Sequence, residues 1–308
     1  MRENSRLAKY LFAIGVTVLI ILNLYTFIVA YPETYTLTPG ITSSGNILAK
    51  DFSAYYVGAW RLWNNPANIY FHGALGGMEP ATPPQPEAYK YLPSFLFVMS
   101  PFLALNYQQA LFAFNVIQFA LLPLIALLLY RLLGKKGLIA TFVVAIIVLL
   151  QPFPTSQWGL SPSYYWQWGE GQAKVFSTFV LLLSLYLGSR GRPYLSGITL
   201  AIGFFDPRFG LLTLPLFLMY NWKALKAALG SFLGAVVFSN LILLYPGTGG
   251  SFLNMVLDSG LNTPFYYYSF IPFLTMVSLM FVNVREMVVT FDYYEVFGRY
   301  TKNWKVQT

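Results

Sequence analysis

Long apolar blocks recur along this chain, separated by short turns that carry Lys and Arg. A helix needs about 20 apolar residues to cross the hydrocarbon of a bilayer, and several of these blocks approach or reach that length. Charged residues make up only 10% of the 308 residues, against roughly 25% in a soluble domain. A water-facing surface cannot be built on that deficit. The chain therefore reads as a single all-α, polytopic membrane domain over residues 1–308. No polar stretch is long enough to make a separate soluble domain.

The formal net charge of +8 would suggest nucleic acid in a soluble protein. Here the basic residues lie between apolar blocks, so they are read as topology signals, with no nucleic-acid partner expected. Tyr10–Ala30 follows Arg2, Arg6 and Lys9 and is longer than a signal-peptide core of about 7–15 residues. It is expected to be an uncleaved helix with a cytoplasmic N-terminus. Residues 31–106 form a long external loop, with a helix expected over Ser53–Trp63 that aligns Tyr56, Trp60 and Trp63. Tyr91–Leu105 is interrupted by Pro93 and Pro101 and is expected to lie in the interface. Tyr107–Leu133 then crosses inward to Arg131, Lys135 and Lys136.

The blocks Leu138–Leu150, Lys174–Gly188, Tyr194–Phe205, Phe209–Tyr220, Ala224–Tyr245 and Tyr266–Val284 complete eight crossings. An external aromatic loop with Trp158, Tyr164, Tyr165, Trp166 and Trp168 lies between the first two. Residues 246–264 are read as a last external loop, its PGTGGS segment a flexible turn. Residues 285–308 are a cytoplasmic tail, and the cell membrane is the expected location. In this arrangement 14 of the 19 Lys and Arg residues are cytoplasmic, as the positive-inside rule requires. The exceptions, Lys50, Arg61, Lys90, Lys174 and Arg208, become candidates for function. Seven of the 11 carboxylates also fall outside.

The blocks Tyr194–Phe205 and Phe209–Tyr220 have 12 residues each. That is about 18 Å of helix against a hydrocarbon thickness of about 30 Å. They form either a hairpin that dips into the membrane or two short tilted spans in a thinned region. Irregular backbone at such depth needs protein or a water-filled cavity beside it, so a cavity is expected near Asp206-Pro207-Arg208.

Asp51, in the segment KDFSAYY, has two readings. It caps the following helix with Lys50 as a local partner, or it is a general base that takes a proton from an acceptor hydroxyl at the membrane surface. His72 is the single histidine and there is no cysteine, so a typical zinc site cannot be assembled. Ser53 stands where an Asp-x-Asp motif would need its second acid. No metal and no cofactor are expected. There is no Gly-rich loop ending in Lys-Ser/Thr, which argues against ATP hydrolysis.

The segment DFSAYYVGAWRLWNNPANIY followed by YKYLPSFLFVMSPFLAL resembles the first external loop of glycosyltransferase family 87. An Asp heads a helix rich in Tyr and small residues, and a Tyr-x-Pro-x-Phe segment and an interfacial helix follow. GQAKVFSTFVLLLSLYLGSRGRPYLSGITLAIGFFDPRFGLLTLPLFL is similar to the family too, and the likeness covers roughly Asp51 to Leu218. The resemblance implies a GT-C-like helix bundle and a polyprenol-phosphate-mannose-dependent α-mannosyltransferase. Its partners would be membrane lipids, a polyprenyl-phosphate sugar as donor, and a lipid or glycan acceptor. Family members are usually longer, which implies a chain shortened at its C-terminus, and a lysine common in the family is replaced by the Asp206-Pro207-Arg208 turn.

On that resemblance Asp51 is the base, and the departing phosphate needs positive charge. Arg208 supplies a planar fork suited to phosphate oxygens, or else it simply pairs with Asp206. Pro207 would open a helix capped by Asp206, whose N-terminus favours anions. Lys174 is a second phosphate ligand or a snorkelling interfacial lysine. Glu170 and Gln172 orient sugar hydroxyls or cap the helix. Tyr55 and Tyr56 line the sugar site or belong to an interfacial belt. Arg61 either joins the sugar or acceptor site with Lys90 and Asp206 or anchors the loop helix to headgroups. Two other classes stand beside the transferase: a carrier or flippase of lipid-linked sugars, and a non-catalytic member of the family. No internal repeat supports a carrier.

Overall fold

The computed structural model of the chain describes residues 49–76, 79–80, 88–134, 152–155, 159–162, 171–260, 276 and 279–280. The expected helices Tyr10–Ala30 and Leu138–Leu150, the residues named in the aromatic external loop, most of Tyr266–Val284, Glu170 and the tail 285–308 lie outside the described residues. Among the described residues the fold is helical, apart from one antiparallel pair of short strands. These are β1 (Pro152–Thr155) and β2 (Gly159–Pro162).

The first described helix, α1, spans Lys50–Asn64 and starts earlier than the Ser53–Trp63 segment expected. Ala49 occupies the cap position with a left-handed backbone (φ 52°), and no side chain caps the helix. Asp51 thus lies in the first turn, where the helix dipole favours a carboxylate, and the capping reading of Asp51 is set aside. Helix α2 (Ser94–Met99) runs into a 3₁₀ turn over Ser100–Ala104. Both pieces are too short to span, in keeping with the interfacial reading of Tyr91–Leu105.

Helix α3 spans Tyr107–Leu133. A reciprocal capping box starts it: the Asn106 side chain accepts from the Gln109 N–H while the Gln109 side chain accepts from the Asn106 N–H. Among the described residues it is the one helix long and apolar enough to cross a membrane, with a mean hydropathy of 2.3 over its best window. Phe112, Val116, Ile117, Leu124 and Leu127 remain exposed along it, as lipid-facing positions would be. The full set of eight crossings includes blocks outside the described residues.

Helices α4 (Lys174–Ser189), α5 (Pro193–Gly203) and α6 (Pro207–Asn221) follow in close succession. Their starts agree with the sequence reading because Pro193 and Pro207 occupy first-turn positions, where the missing N–H costs nothing. A buried polar clasp joins them. The Ser184 hydroxyl donates to the Ser196 carbonyl at 2.9 Å, and the Ser196 hydroxyl returns a bond to the Ser184 carbonyl at 2.8 Å. The Asn221 amide then donates to the Ser196 hydroxyl at 3.0 Å. Helix α5 meets α7 (Leu225–Ser239) at Gly197, where an added Cβ would collide with the Ala228 carbonyl and the Ser231 hydroxyl. Small residues that let backbones approach are the usual basis of helix association in lipid.

The C-terminal part departs from expectation twice. Ala224–Tyr245 is not one outbound helix: α7 stops at Ser239, and Leu241–Leu244 forms a 3₁₀ turn. Asn240 makes the break. Its amide donates to the Val236 carbonyl at 2.7 Å, and its carbonyl oxygen accepts from the Ser94 N–H at the start of α2 at 3.3 Å. The second departure is in the expected external loop 246–264, which contains helix α8 (Thr248–Gly260). Its first residue, Thr248, donates to the Pro66 carbonyl at 2.9 Å, and Phe252 packs on Tyr70 with ring centres 5.3 Å apart. That apolar contact gives the segment a folded partner which its PGTGGS entrance does not advertise.

Two apolar cores result. One, around Phe52, Tyr55, Tyr89, Phe95 and Phe205, belongs to the loop helices. The other, around Leu181, Leu200, Phe209 and Phe217, lies in the helical bundle. Phe95 and Phe205 stack at 4.3 Å, and the Leu92 N–H donates to the Phe205 carbonyl at 3.0 Å. The loop is therefore pinned to the turn that leads into α6.

Candidate functional site

That turn presents Asp206, Pro207 and Arg208. Asp206 caps α6, its carboxylate accepting from the Arg208 N–H. The carboxylate is only 1% exposed, and a buried charge is costly unless it is paired. Two cations supply the pairing. The Arg208 guanidinium donates through Nε to Oδ1 at 2.7 Å and through Nη2 to Oδ2 at 2.8 Å. The Lys174 ammonium, on the first residue of α4, donates to Oδ2 at 3.3 Å. Burial alone would raise the Asp206 carboxyl, but Lys174 and Arg208 outweigh it and hold the group below its ordinary value. Two cations thus share one carboxylate. The Arg208 side chain is 39% exposed, so its guanidinium reaches the surface. Arg208 therefore pairs with Asp206, the second of its two readings, while its side chain stays accessible.

Two aromatic rings flank the cations. The Lys174 nitrogen lies 5.4 Å from the Tyr91 ring centre and 4.9 Å from that of Phe209. The Arg208 guanidinium carbon lies 5.9 and 6.0 Å from the same two rings.

Phe52, the residue after Asp51, packs beside the approach to this cluster. Gly171, three residues before Lys174, has φ +65°, and a Cβ there would come within 2.6 Å of the Phe52 Cβ. Only glycine meets both conditions without strain. The residue after Asp51 thus abuts the approach to α4. The charge of Asp51 is felt at Tyr55 and at the Lys174 ammonium. Tyr55 is fully buried; burial first, then Tyr91 and Asp51, push its hydroxyl well above the usual phenol range, so it stays neutral.

The other expected site residues are distributed differently. Tyr56 donates its hydroxyl to the Leu105 carbonyl at 2.6 Å and so ties α1 to the interfacial turn. Arg61 is 1% exposed and is not directed to headgroups or to the Asp206 cluster. It donates to the Glu79 carboxylate at 2.7 Å and to the Phe71 and Gly73 carbonyls at 2.6 Å each, folding the loop around itself. Asp206 had a place among the sugar- and acceptor-binding candidates, yet its carboxylate is occupied by the two cations. Gln172 is buried beside Lys174 in sequence, and Lys90 is exposed. Glu170 lies outside the described residues. The structure therefore gathers Lys174, Asp206 and Arg208, sets Tyr55 against Tyr91 beside them, and adds Tyr91 and Phe209, which the sequence reading had not singled out; Asp51 is tied to them through Phe52 at Gly171. The proximity of Tyr91 to Pro93 in the Tyr-x-Pro-x-Phe segment was the one available signal.

An apolar helical fold, with one helix among the described residues long and apolar enough to cross a membrane and an aromatic-flanked ion cluster where its short helices begin, points to a membrane-associated protein. The chain belongs to glycosyltransferase family 87, whose model matches residues 89–289. No curated protein and no solved structure is significantly similar to it. The family match takes in Tyr91, Lys174, Asp206 and Arg208. It starts after Asp51 and extends beyond Leu218, later at both ends than the likeness read from the sequence.

Proposed function

We propose that the chain is a membrane hexosyltransferase that moves a hexose, mannose foremost, from a polyprenyl-phosphate sugar to a hydroxyl of a lipid or glycan. The reaction takes place on the extracytoplasmic face of the cell membrane. The observation that carries this reading is the Lys174–Asp206–Arg208 cluster, with Phe52, the residue after Asp51, packed at Gly171 three residues before Lys174, within a chain that belongs to a glycosyltransferase family. An acid and a cation pair are what such a transfer requires. Asp51 accepts the proton of the acceptor hydroxyl. The acceptor oxygen bonds to the anomeric carbon as the bond from that carbon to the phosphate oxygen breaks, with inversion. The electron pair leaves with the phosphate, whose growing charge is met by Arg208 and Lys174. Asp206 keeps both cations in place.

The helices support an external site. Helix α4 runs from Lys174 to the turn with Arg190 and Arg192, a length of about 24 Å at 1.5 Å per residue. Helix α5 returns to Phe205 and Asp206. The site and the basic turn thus lie at opposite ends of the pair, and the positive-inside rule favours an external site, in line with the reading of both termini as cytoplasmic.

The test is transfer of radiolabelled mannose from polyprenyl-phosphate mannose to a membrane lipid extract by the purified protein. Label should reach the acceptor with the wild type and not with Asp51→Ala or Asp51→Asn. Equal transfer by all three proteins would remove Asp51 as the base. Movement of intact donor across liposomes without transfer would replace the transferase by a carrier.

A further inference from the structure

We infer that Tyr91 and Phe209 form an aromatic clip that presets Lys174 and Arg208 for a prenyl phosphate monoester, with Tyr91 as the positioning residue. The inference rests on the proposed phosphate role of the two cations and extends it to residues with no assigned part. Each cation lies close to both rings, at 5.4 and 4.9 Å for Lys174 and 5.9 and 6.0 Å for Arg208. A ring attracts a cation out to about 6 Å. Two like charges on one buried carboxylate repel each other, and a ring face attracts each of them without adding a charge of its own.

Tyr91 is itself fixed from several directions. Its ring packs against Phe205 at 5.6 Å, Tyr55 at 5.7 Å and Tyr89 at 5.8 Å. Its carbonyl accepts from the Tyr70 hydroxyl at 3.1 Å, and the next residue, Leu92, is bonded to Phe205. The external loop therefore brings a rigid ring to cations that two different helix starts supply. Anion affinity at the helix starts then depends on a loop residue far from them in sequence.

Fluorination drains negative charge from a ring face with little change of shape, so it tests the clip without endangering the fold. The full chain in phosphatidylcholine nanodiscs would carry Tyr91→Phe, or mono-, di- or trifluorinated phenylalanine at position 91. Calorimetry would measure the dissociation constant of farnesyl monophosphate, with farnesol as the uncharged control. The affinity for farnesyl monophosphate should fall stepwise with fluorine number, and Tyr91→Leu should weaken it about tenfold relative to Tyr91→Phe. Farnesol binding should not change. A flat series, or an equal fall for farnesol, would overturn the clip. Lys174→Ala and Arg208→Ala separate this from the reading beneath it. If they weaken farnesyl monophosphate while the fluorinated series stays flat, the clip fails and the phosphate role stands. If neither weakens it, the phosphate role fails as well.

Discussion

At the residue scale, Asp51 and Asp206 are both aspartates near the same cations, but their surroundings assign them opposite tasks. Asp206 is sealed in and bonded by Lys174 and Arg208, so its carboxylate is unsuited to take a proton. Asp51 sits half-buried in the first turn of α1. Asp51→Asn should lower kcat by about 10² to 10⁴ while donor affinity changes little, since a general base contributes on that scale; steady-state kinetics with both substrates separates the two parameters. Asp206→Asn should act on stability instead. It leaves two cations without their buried counter-charge, a loss of about 3–5 kcal/mol, which thermal unfolding in detergent would register as a lowered Tm. The folded carboxyl lies below its ordinary value of 3.8. Its contribution is therefore complete above that value and is lost only as pH falls through the lower folded value. The wild type should keep this stabilisation from neutral pH down to about 5.

At the scale of elements, the short helices were legible because their punctuation is local. Pro193 and Pro207 mark two starts, and Asp206 supplies a cap that needs only the Arg208 N–H two residues on. Asn240 was not legible. It is one polar residue in an apolar run, and the partner that makes it a break, Ser94, is 146 positions away. Helix α8 was hidden for the same reason: its docking groups, Pro66 and Tyr70, lie on the external loop. The contact of α5 with α7 at Gly197 depends on the missing side chain. Gly197→Ala should separate the helices at a cost of about 1–3 kcal/mol, seen as a lower Tm, with a smaller effect at Gly234, whose Cβ position meets open space.

At the scale of the molecule, membrane orientation is the property most open to direct measurement. The chain contains no cysteine, so single cysteines report without a background. Asn64→Cys at the end of α1 and Arg190→Cys after α4 are at exposed positions. A membrane-impermeant maleimide should label the first in intact cells and the second only after permeabilisation. Labelling of both from the same side would invalidate the orientation on which the extracytoplasmic reaction depends.

The sequence alone determined that the described part of the chain is mainly helical and apolar, and where its short helices begin. These follow from composition, proline position and hydrophobic block length, all of them properties of neighbouring residues. Only the tertiary structure decided that Lys174 and Arg208 share one carboxylate, that Arg61 serves the loop, and that Tyr91 comes to rest beside the cations. Each of those outcomes depends on distances between residues remote in the chain, and contact energies there are set by packing that no local pattern encodes.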